Sequence, residues 1–222
     1  MITTALPPAG SAHEKLLVQH VDDALLVLDK PAGLLCVPGR GALAFDALSL
    51  RAQAHFSDAL IVHRLDMATS GLVLMARGKA TQRLLSAAFE RRRVEKHYLA
   101  VVDGLLEADA GTITMPLSAD WEHRPLQAVD WARGKPSVTH YRVLARDVQR
   151  LTTHVELQPV TGRSHKLRVH LKAIGHPILG DTLYAPEGQS SPQARLMLHA
   201  YRLRLAHPSS GEDVGFESRA PF

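Results

Sequence analysis

The stretch that most limits what this chain can become is Leu72-Val73-Leu74-Met75-Ala76, five apolar residues that open directly after Thr69-Ser70-Gly71. A short apolar run bounded by a turn predicts a buried strand. The residues leading into it are His63-Arg64-Leu65-Asp66. Asp66 therefore stands on a loop that feeds the core, with Arg64 two residues ahead of it. Loops held by a rigid scaffold are where reactive side chains collect. Taken alone, an aspartate before Thr-Ser-Gly reads as a turn cap paired with Arg64 at the surface, since reactive carboxylates are a minority.

The rest of the chain divides into short segments around that strand. Residues 1–12 are rich in Ala, Pro and Gly, which predicts a mobile tail, leaving 13–222 as a single domain. Two apolar patches within 16–27 flank Asp22-Asp23 and predict two strand segments joined by a turn. Pro31 restricts Asp29-Lys30 to extended geometry, and Gly33 frees the bend that follows. Arg40, in the Pro38-Gly39-Arg40-Gly41 loop, is available to a phosphate. Residues 45–55 predict a helix with Leu48, Ala52 and His55 on one stripe. Residues 79–91 predict another, with Leu84, Leu85, Ala88 and Phe89 at helical spacing and a cationic end, Arg91-Arg92-Arg93. That end compensates the helix dipole or meets a polyanion.

Residues 94–102 predict a strand with Lys96, Tyr98 and Ala100 on one face, and 111–117 a further strand. Residues 118–135 form a long polar loop carrying Trp121, His123, Arg124, Arg133 and Lys135. So long a loop in a compact domain is functional or disordered, and interleaved aromatic and basic residues suit RNA contact. Residues 138–146 and 151–160 alternate as a hairpin. Ser164 can cap a helix running to Ile174 and ending at Gly175, with Leu167, Leu171 and Ile174 as its core stripe. Arg168 lies at the edge of that stripe, with His165 and Lys172 on its side. Residues 195–205 predict a last strand, and 209–222 a turn-rich end. Many strands, few helices and no regular alternation of the two predict an α+β fold with a largely antiparallel sheet.

Composition narrows the function classes. The 222 residues are 45% hydrophobic, enough for one sizeable core or two small domains. Lys and Arg number 26 against 22 Asp and Glu, a net charge of +4. A pI near 9.4 favours a polyanionic partner over an acidic protein. The 13 histidines are scattered without zinc spacing. One cysteine, Cys36, excludes an internal disulfide and fits a reducing cytoplasm. The first ten residues lack the pattern of a signal peptide, and no apolar run reaches the length of a membrane span.

His-Arg-Leu-Asp followed by Thr-Ser-Gly resembles the catalytic motif of the RluA family of RNA pseudouridine synthases. Four further stretches resemble the family's other motifs, in the family's order: Asp29-Lys30-Pro31-Ala32-Gly33-Leu34, Lys96-His97-Tyr98-Leu99-Ala100, Thr161-Gly162-Arg163-Ser164-His165-Lys166-Leu167-Arg168, and Gly175-His176-Pro177-Ile178-Leu179-Gly180-Asp181. They extend from about the mid-twenties to about residue 205. Val37-Pro38-Gly39-Arg40, and the segment from Asp120-Trp121 through Arg124-Pro125 to Gly134-Lys135-Pro136, look closer to the family's dual-specificity branch. Enzymes of that branch modify a tRNA anticodon loop and a loop of large-subunit rRNA.

The resemblance implies a pseudouridine synthase fold, with a central mixed sheet in two abutting halves, flanking helices and a catalytic cleft between. It implies no N-terminal S4-type RNA-binding domain, no cofactor and no metal. Asp66 becomes the nucleophilic carboxylate and Arg168 its ion-pair partner, countering the penalty that burial places on a charged acid. Tyr98 stacks on the target base and takes part in proton removal, and Arg64 fills the gap left by a flipped nucleotide. Arg163 contacts the RNA backbone. His63, Leu167, Trp121 and Arg124 complete the substrate-binding set. One departure is Lys166, which stands where the dual-specificity branch has an uncharged amide and so bears on phosphate contacts. The implied partner is tRNA, 23S rRNA or both, for a cytoplasmic monomer with no obligate protein partner and no membrane contact.

Two other classes remain open at this point. An RNA-binding or RNA-remodelling protein would keep the basic loop and Tyr98 without requiring Asp66. A glycosidase would also use an aspartate at an anomeric carbon, but normally needs a second carboxylate as acid, and the motif around Asp66 supplies none.

Overall fold

The apolar run 72–76 forms the middle of a strand in which every residue from Ser70 to Ala76 is buried. The structure is a computed structural model and describes residues 16–39, 46–185 and 193–222. The expected tail 1–12, Arg40, and Phe45 at the start of the first expected helix lie outside the described residues. In chain order the elements are β1 (Leu17–Val21), β2 (Leu25–Lys30), α1 (Leu48–His55), β3 (Ala59–Ile61), β4 (Ser70–Arg77), α2 (Gly78–Glu90), β5 (Glu95–Asp103), β6 (Ala110–Thr114), β7 (Leu117–Ala119), β8 (Gln127–Val129), β9 (Val138–Asp147), β10 (Thr152–Pro159), α3 (Lys166–Ala173), β11 (Leu198–Ala206) and β12 (Asp213–Glu217). No helix among the described residues is long and apolar enough to cross a membrane.

Ten strands share one sheet, in the order β1-β2-β4-β11-β5-β10-β9-β6, with β3 added to β4 and β12 to β11; β7 and β8 pair by themselves. The pairings are antiparallel with one exception. β4 and β11 run parallel, and only His199 with Ser70 and Ala200 with Gly71 are in register. This short parallel seam is where the two expected halves abut. On one side Leu26, Leu28, Val73 and Met75 bury against Leu48 and Ala52 of α1. On the other, Val102, Val155 and Leu157 bury against Leu167 and Leu171 of α3. The seam depends on Gly71, which sits at φ +109; a Cβ there would lie 2.3 Å from the carbonyl oxygen of Ala200.

Several expectations need correction. In α2 the buried leucine is Leu85, while Leu84 is exposed, because the helix rests on β3 and β4 along one narrow stripe. His55 is likewise exposed at the end of α1. The expected strand 111–117 stops at Thr114, before Pro116, which has no N–H to give a ladder. Residues 118–135 are not a structureless loop. β7 and β8 form a small hairpin whose Leu126 and Val129 pack on Leu117, Val169 and Tyr184. Ser164 does not cap α3: His165 takes the N-cap position in the left-handed region, with no side-chain cap. Arg168 is not at a boundary but 3% exposed. The turn-rich end also contributes β12, paired to β11.

Candidate active site

The loop that carries Asp66 enters β4 at the seam, and its backbone is pinned from beneath. The Leu65 N–H reaches the Cys36 sulfur at 3.2 Å. The Met67 carbonyl accepts from the Gly33 N–H at 2.8 Å and from Lys30 Nζ at 3.0 Å. The Asp66 carbonyl closes a turn with the Thr69 N–H at 3.1 Å. Lys30 is fully buried and also donates to the carbonyls of Pro31 and Leu34, each at 2.8 Å. Burial lowers its pKa to about 8. The Asp29–Leu34 stretch thus forms the floor under the loop.

Two elements bring three side chains to Asp66. From α3, Arg168 lies with Nη1 3.7 Å from Asp66 Oδ2. Its other two nitrogens belong to Asp181: Nε to Oδ2 at 2.7 Å and Nη2 to Oδ1 at 2.6 Å. Burial works against the Arg168 charge, but the bonds and charge of Asp181, with Asp66 behind them, more than offset it, and the pKa is raised. The expected partnership of Arg168 with Asp66 is therefore shared, with Asp181 taking the two-point fork. From the start of α3, His165 places Nε2 3.9 Å from the same Asp66 oxygen. From β5, Tyr98 faces the cavity; burial, and then the charge of Asp66, push its phenol well above the ordinary tyrosine range.

These groups line one cavity of about 660 Å³. His63, Arg64, Arg163 and Leu167 line it too, so seven of the nine residues singled out by sequence meet there. Arg64 and Arg163 are exposed at its mouth. His63 has turned inward: its Nε2 accepts the Leu74 N–H at 2.9 Å, its ring stacks on Phe89 at 4.5 Å, and burial lowers its pKa to about 3. It braces the loop. Trp121 and Arg124 stand apart, on the connection between β7 and β8, with the guanidinium 3.6 Å above the exposed indole.

Lys166 also departs from expectation. It is 3% exposed and donates to the carbonyls of Val138 and Thr161 and to the Thr161 hydroxyl. Burial, followed by the charges of Lys96, Arg163 and Arg92, lowers its pKa to about 7. It ties α3 to β9, its ammonium committed to protein oxygens at the cavity wall. Sequence reasoning missed Asp181, His165 and Tyr184 as site residues. The signal for the first two was present, since both fall inside quoted motifs; Tyr184 follows Asp181 by three residues with no pattern to mark it.

The cavity wall carries Arg64, Arg92, Lys96, Arg163, Lys166 and Arg168 against Asp66 and Glu90. A cleft with this excess of cations attracts a polyanion. The known proteins that this chain resembles in sequence and fold carry names of RNA-modifying enzymes. A family model described as RNA pseudouridylate synthase matches residues 24–173. The chain is 45% identical over 205 residues to the dual-specificity RNA pseudouridine synthase RluA of Pasteurella multocida (strain Pm70), covering 92% of this chain and 93% of that one. It is 43% identical over 207 residues to the protein of the same name from Escherichia coli (strain K12), covering 93% and 94%. Among solved structures, human RNA pseudouridylate synthase domain containing 1 superimposes with a TM-score of 0.80 at 32% identity, over 98% of this chain and 87% of that one. Its counterpart, domain containing 4, gives 0.73 at 27% identity, over 92% and 88%. With the family model spanning β2 through α3, and RluA proteins aligning along nine-tenths of its length, the chain belongs to the RluA family of RNA pseudouridine synthases.

Proposed function

We propose that this enzyme isomerises one uridine in a tRNA anticodon loop and one in a loop of 23S rRNA, working in the cytoplasm as a monomer. The observation that carries the site assignment is the meeting of Asp66, Arg168 and Tyr98 in one cationic cavity. In the reaction the C1′–N1 bond breaks, the uracil turns, C1′ bonds to C5, and the C5 proton is lost while N1 gains one. Atoms and electrons balance within the nucleotide, so no co-reactant enters. Asp66 serves as the anionic group at the ribose and base. Arg168, fixed by Asp181, keeps a positive charge beside it, with Nη1 3.7 Å from Asp66 Oδ2. Tyr98 holds its proton tightly and so acts on the base first by stacking, the usual grip on an extruded RNA base. Arg64 at the mouth fills the space that the flipped uridine leaves, and Arg163 meets the backbone. Trp121 and Arg124 engage the loop outside the cavity.

The dual substrate rests on likeness to proteins whose names carry dual specificity, and on the resemblance of the Asp120–Pro136 segment to that branch. The test is to incubate wild-type protein and Asp66→Asn with a tRNA anticodon stem-loop and with a 23S rRNA fragment, and to map pseudouridine chemically. Wild type should modify both RNAs, while Asp66→Asn should bind both and modify neither. Activity on one RNA alone would remove the dual assignment, and release of free uracil would replace isomerisation with glycosidic cleavage.

A further inference from the structure

His165 has no role in the mechanism above, yet it is among the most constrained residues in the cavity. Its backbone sits at φ 54, a left-handed conformation that is strained for a non-glycine residue and persists only where its surroundings impose it. Its ring meets Tyr184 edge-on, with centroids 5.6 Å apart and planes at 85°. Its Nδ1 lies 2.7 Å from the Tyr184 hydroxyl oxygen. That same oxygen accepts the Gln127 backbone N–H at 2.8 Å. A phenol has one proton to give. With Gln127 donating to the oxygen, the arrangement favours the hydroxyl proton pointing at His165 Nδ1. An imidazole that accepts at Nδ1 carries its own proton on Nε2. Burial, together with the charge of Arg168, draws the His165 pKa below its ordinary value against the opposing pull of Asp66, which favours the uncharged ring.

The consequence lies on the other side of the ring. Nε2–H faces Asp66 Oδ2 across 3.9 Å, too far for a direct hydrogen bond. An atom about 2.8 Å from both would bridge the gap. That atom must accept from Nε2–H and donate to a carboxylate. Carbonyl and phosphate oxygens of a nucleotide can only accept, and the ring N3–H can only donate. Within an RNA chain, where the 3′ oxygen is esterified, the one group of the target uridine able to do both is the ribose 2′-hydroxyl.

We infer that His165 is a substrate-positioning residue, held by Tyr184 so that its Nε2–H and the Asp66 carboxylate together grip the 2′-hydroxyl of the target uridine. The inference rests on the role proposed for Asp66. It gives the enzyme a means to select RNA over DNA at the reacting nucleotide. It also links that grip to the β7–β8 hairpin, because Gln127 on β8 holds the tyrosine that sets the imidazole.

The experiment compares a stem-loop carrying the native target uridine with one carrying a single 2′-deoxyuridine there. Wild type should lose about 10- to 100-fold in kcat/KM on the deoxy RNA, the effect of one buried hydrogen-bond pair. His165→Leu should be slowed to a similar degree on native RNA and should distinguish the two RNAs by less than about threefold. Tyr184→Phe, which keeps the ring and frees Nδ1, should lose part of the discrimination. Nitrogen NMR of labelled wild type should show His165 protonated at Nε2 and bare at Nδ1. A proton on Nδ1, or a His165→Leu enzyme that still discriminates as wild type does, would overturn the inference while leaving the pseudouridine synthase reading intact. A wild type that makes no pseudouridine on native RNA, or an Asp66→Asn enzyme that still makes it, would overturn that reading and this inference with it.

Discussion

Arg168 grips Asp181 with two guanidinium nitrogens and leaves the third 3.7 Å from Asp66. The cation beside the reactive carboxylate is thus positioned by a second carboxylate that is itself 2% exposed. Asp181 does more than hold the arginine. Its Oδ1 also accepts the backbone N–H groups of Leu183 and Tyr184, fixing the turn that presents Tyr184.

Asp181→Ala should therefore damage fold and activity together. Removing one partner of a buried ion pair leaves an uncompensated charge, at a cost of about 3–5 kcal/mol. For a chain of this size that corresponds to a fall in Tm of roughly 10 °C. Arg168→Lys should be milder in stability but still lower pseudouridine formation by at least about tenfold, since an ammonium cannot fork onto one acid while facing another. Differential scanning calorimetry beside a pseudouridine assay checks both. An Asp181→Ala protein with wild-type Tm would show the pair to be dispensable.

The seam between the halves predicts a contrast between two glycines. Gly71 and Gly33 both have positive φ, but a Cβ at Gly33 meets nothing within 4 Å, whereas one at Gly71 strikes the Ala200 backbone. Gly33→Ala should lose only the backbone preference, about 1–2 kcal/mol. Gly71→Ala should also force β4 and β11 apart, giving a much larger loss or an insoluble protein. Equal Tm values for the two variants would mean the seam tolerates opening.

The parts of this fold legible in the sequence were those in which local pattern and burial agree. The run 72–76, the strand pair expected within 16–27, whose second strand continues to Lys30, and the hairpin after residue 138 lie where apolar pattern and turn residues put them. The meeting of Asp66 with Arg168 came from motif order and not from any local pattern. What stayed hidden depends on partners distant in sequence. Nothing near Lys166 says that carbonyls of Val138 and Thr161 will receive its ammonium, so a basic helix reads as a solvated face. Nothing in 118–135 says that Leu126 and Val129 will find Tyr184 and Val169, so a hairpin reads as loop. Left-handed His165 in place of a Ser164 cap follows from the same tertiary demand.

The β7–β8 connection should act in RNA binding without supporting the fold. Trp121 is 71% exposed and already carries the Arg124 guanidinium on one face. Trp121→Ala should leave Tm within about 2 °C, since exposed substitutions shift stability by under about 0.5 kcal/mol. It should weaken stem-loop binding by about 1–3 kcal/mol if the free indole face takes a base. Arg124→Ala should weaken binding and also flatten its salt dependence, because a phosphate contact releases counterions. Filter binding at several salt concentrations separates the two effects. Unchanged affinity in both variants would take the connection out of the interface.

Lys166 makes stability depend on pH in a direction opposite to that of a salt-bridged lysine. Its folded pKa is about 7, below the ordinary value of 10.5 that it regains on unfolding. Between those values the unfolded chain holds the extra proton, so folding becomes more favourable as pH rises through the window. Lys30, at about 8, acts with the same sign from pH 8 upward. The thiol of Cys36, raised by burial above its ordinary 9.0, and the raised phenol of Tyr98 act in the opposite sense at higher pH, so the clean interval is pH 7 to 9. Lys166→Met removes one titration and strands the carbonyls of Val138 and Thr161, a loss that does not vary with pH. The stability of wild type minus that of Lys166→Met, from urea unfolding, should therefore grow by roughly 1 kcal/mol per pH unit across that interval. A difference that stays flat would mean that the ammonium keeps its proton when buried, and that the three oxygens around it compensate its burial in full.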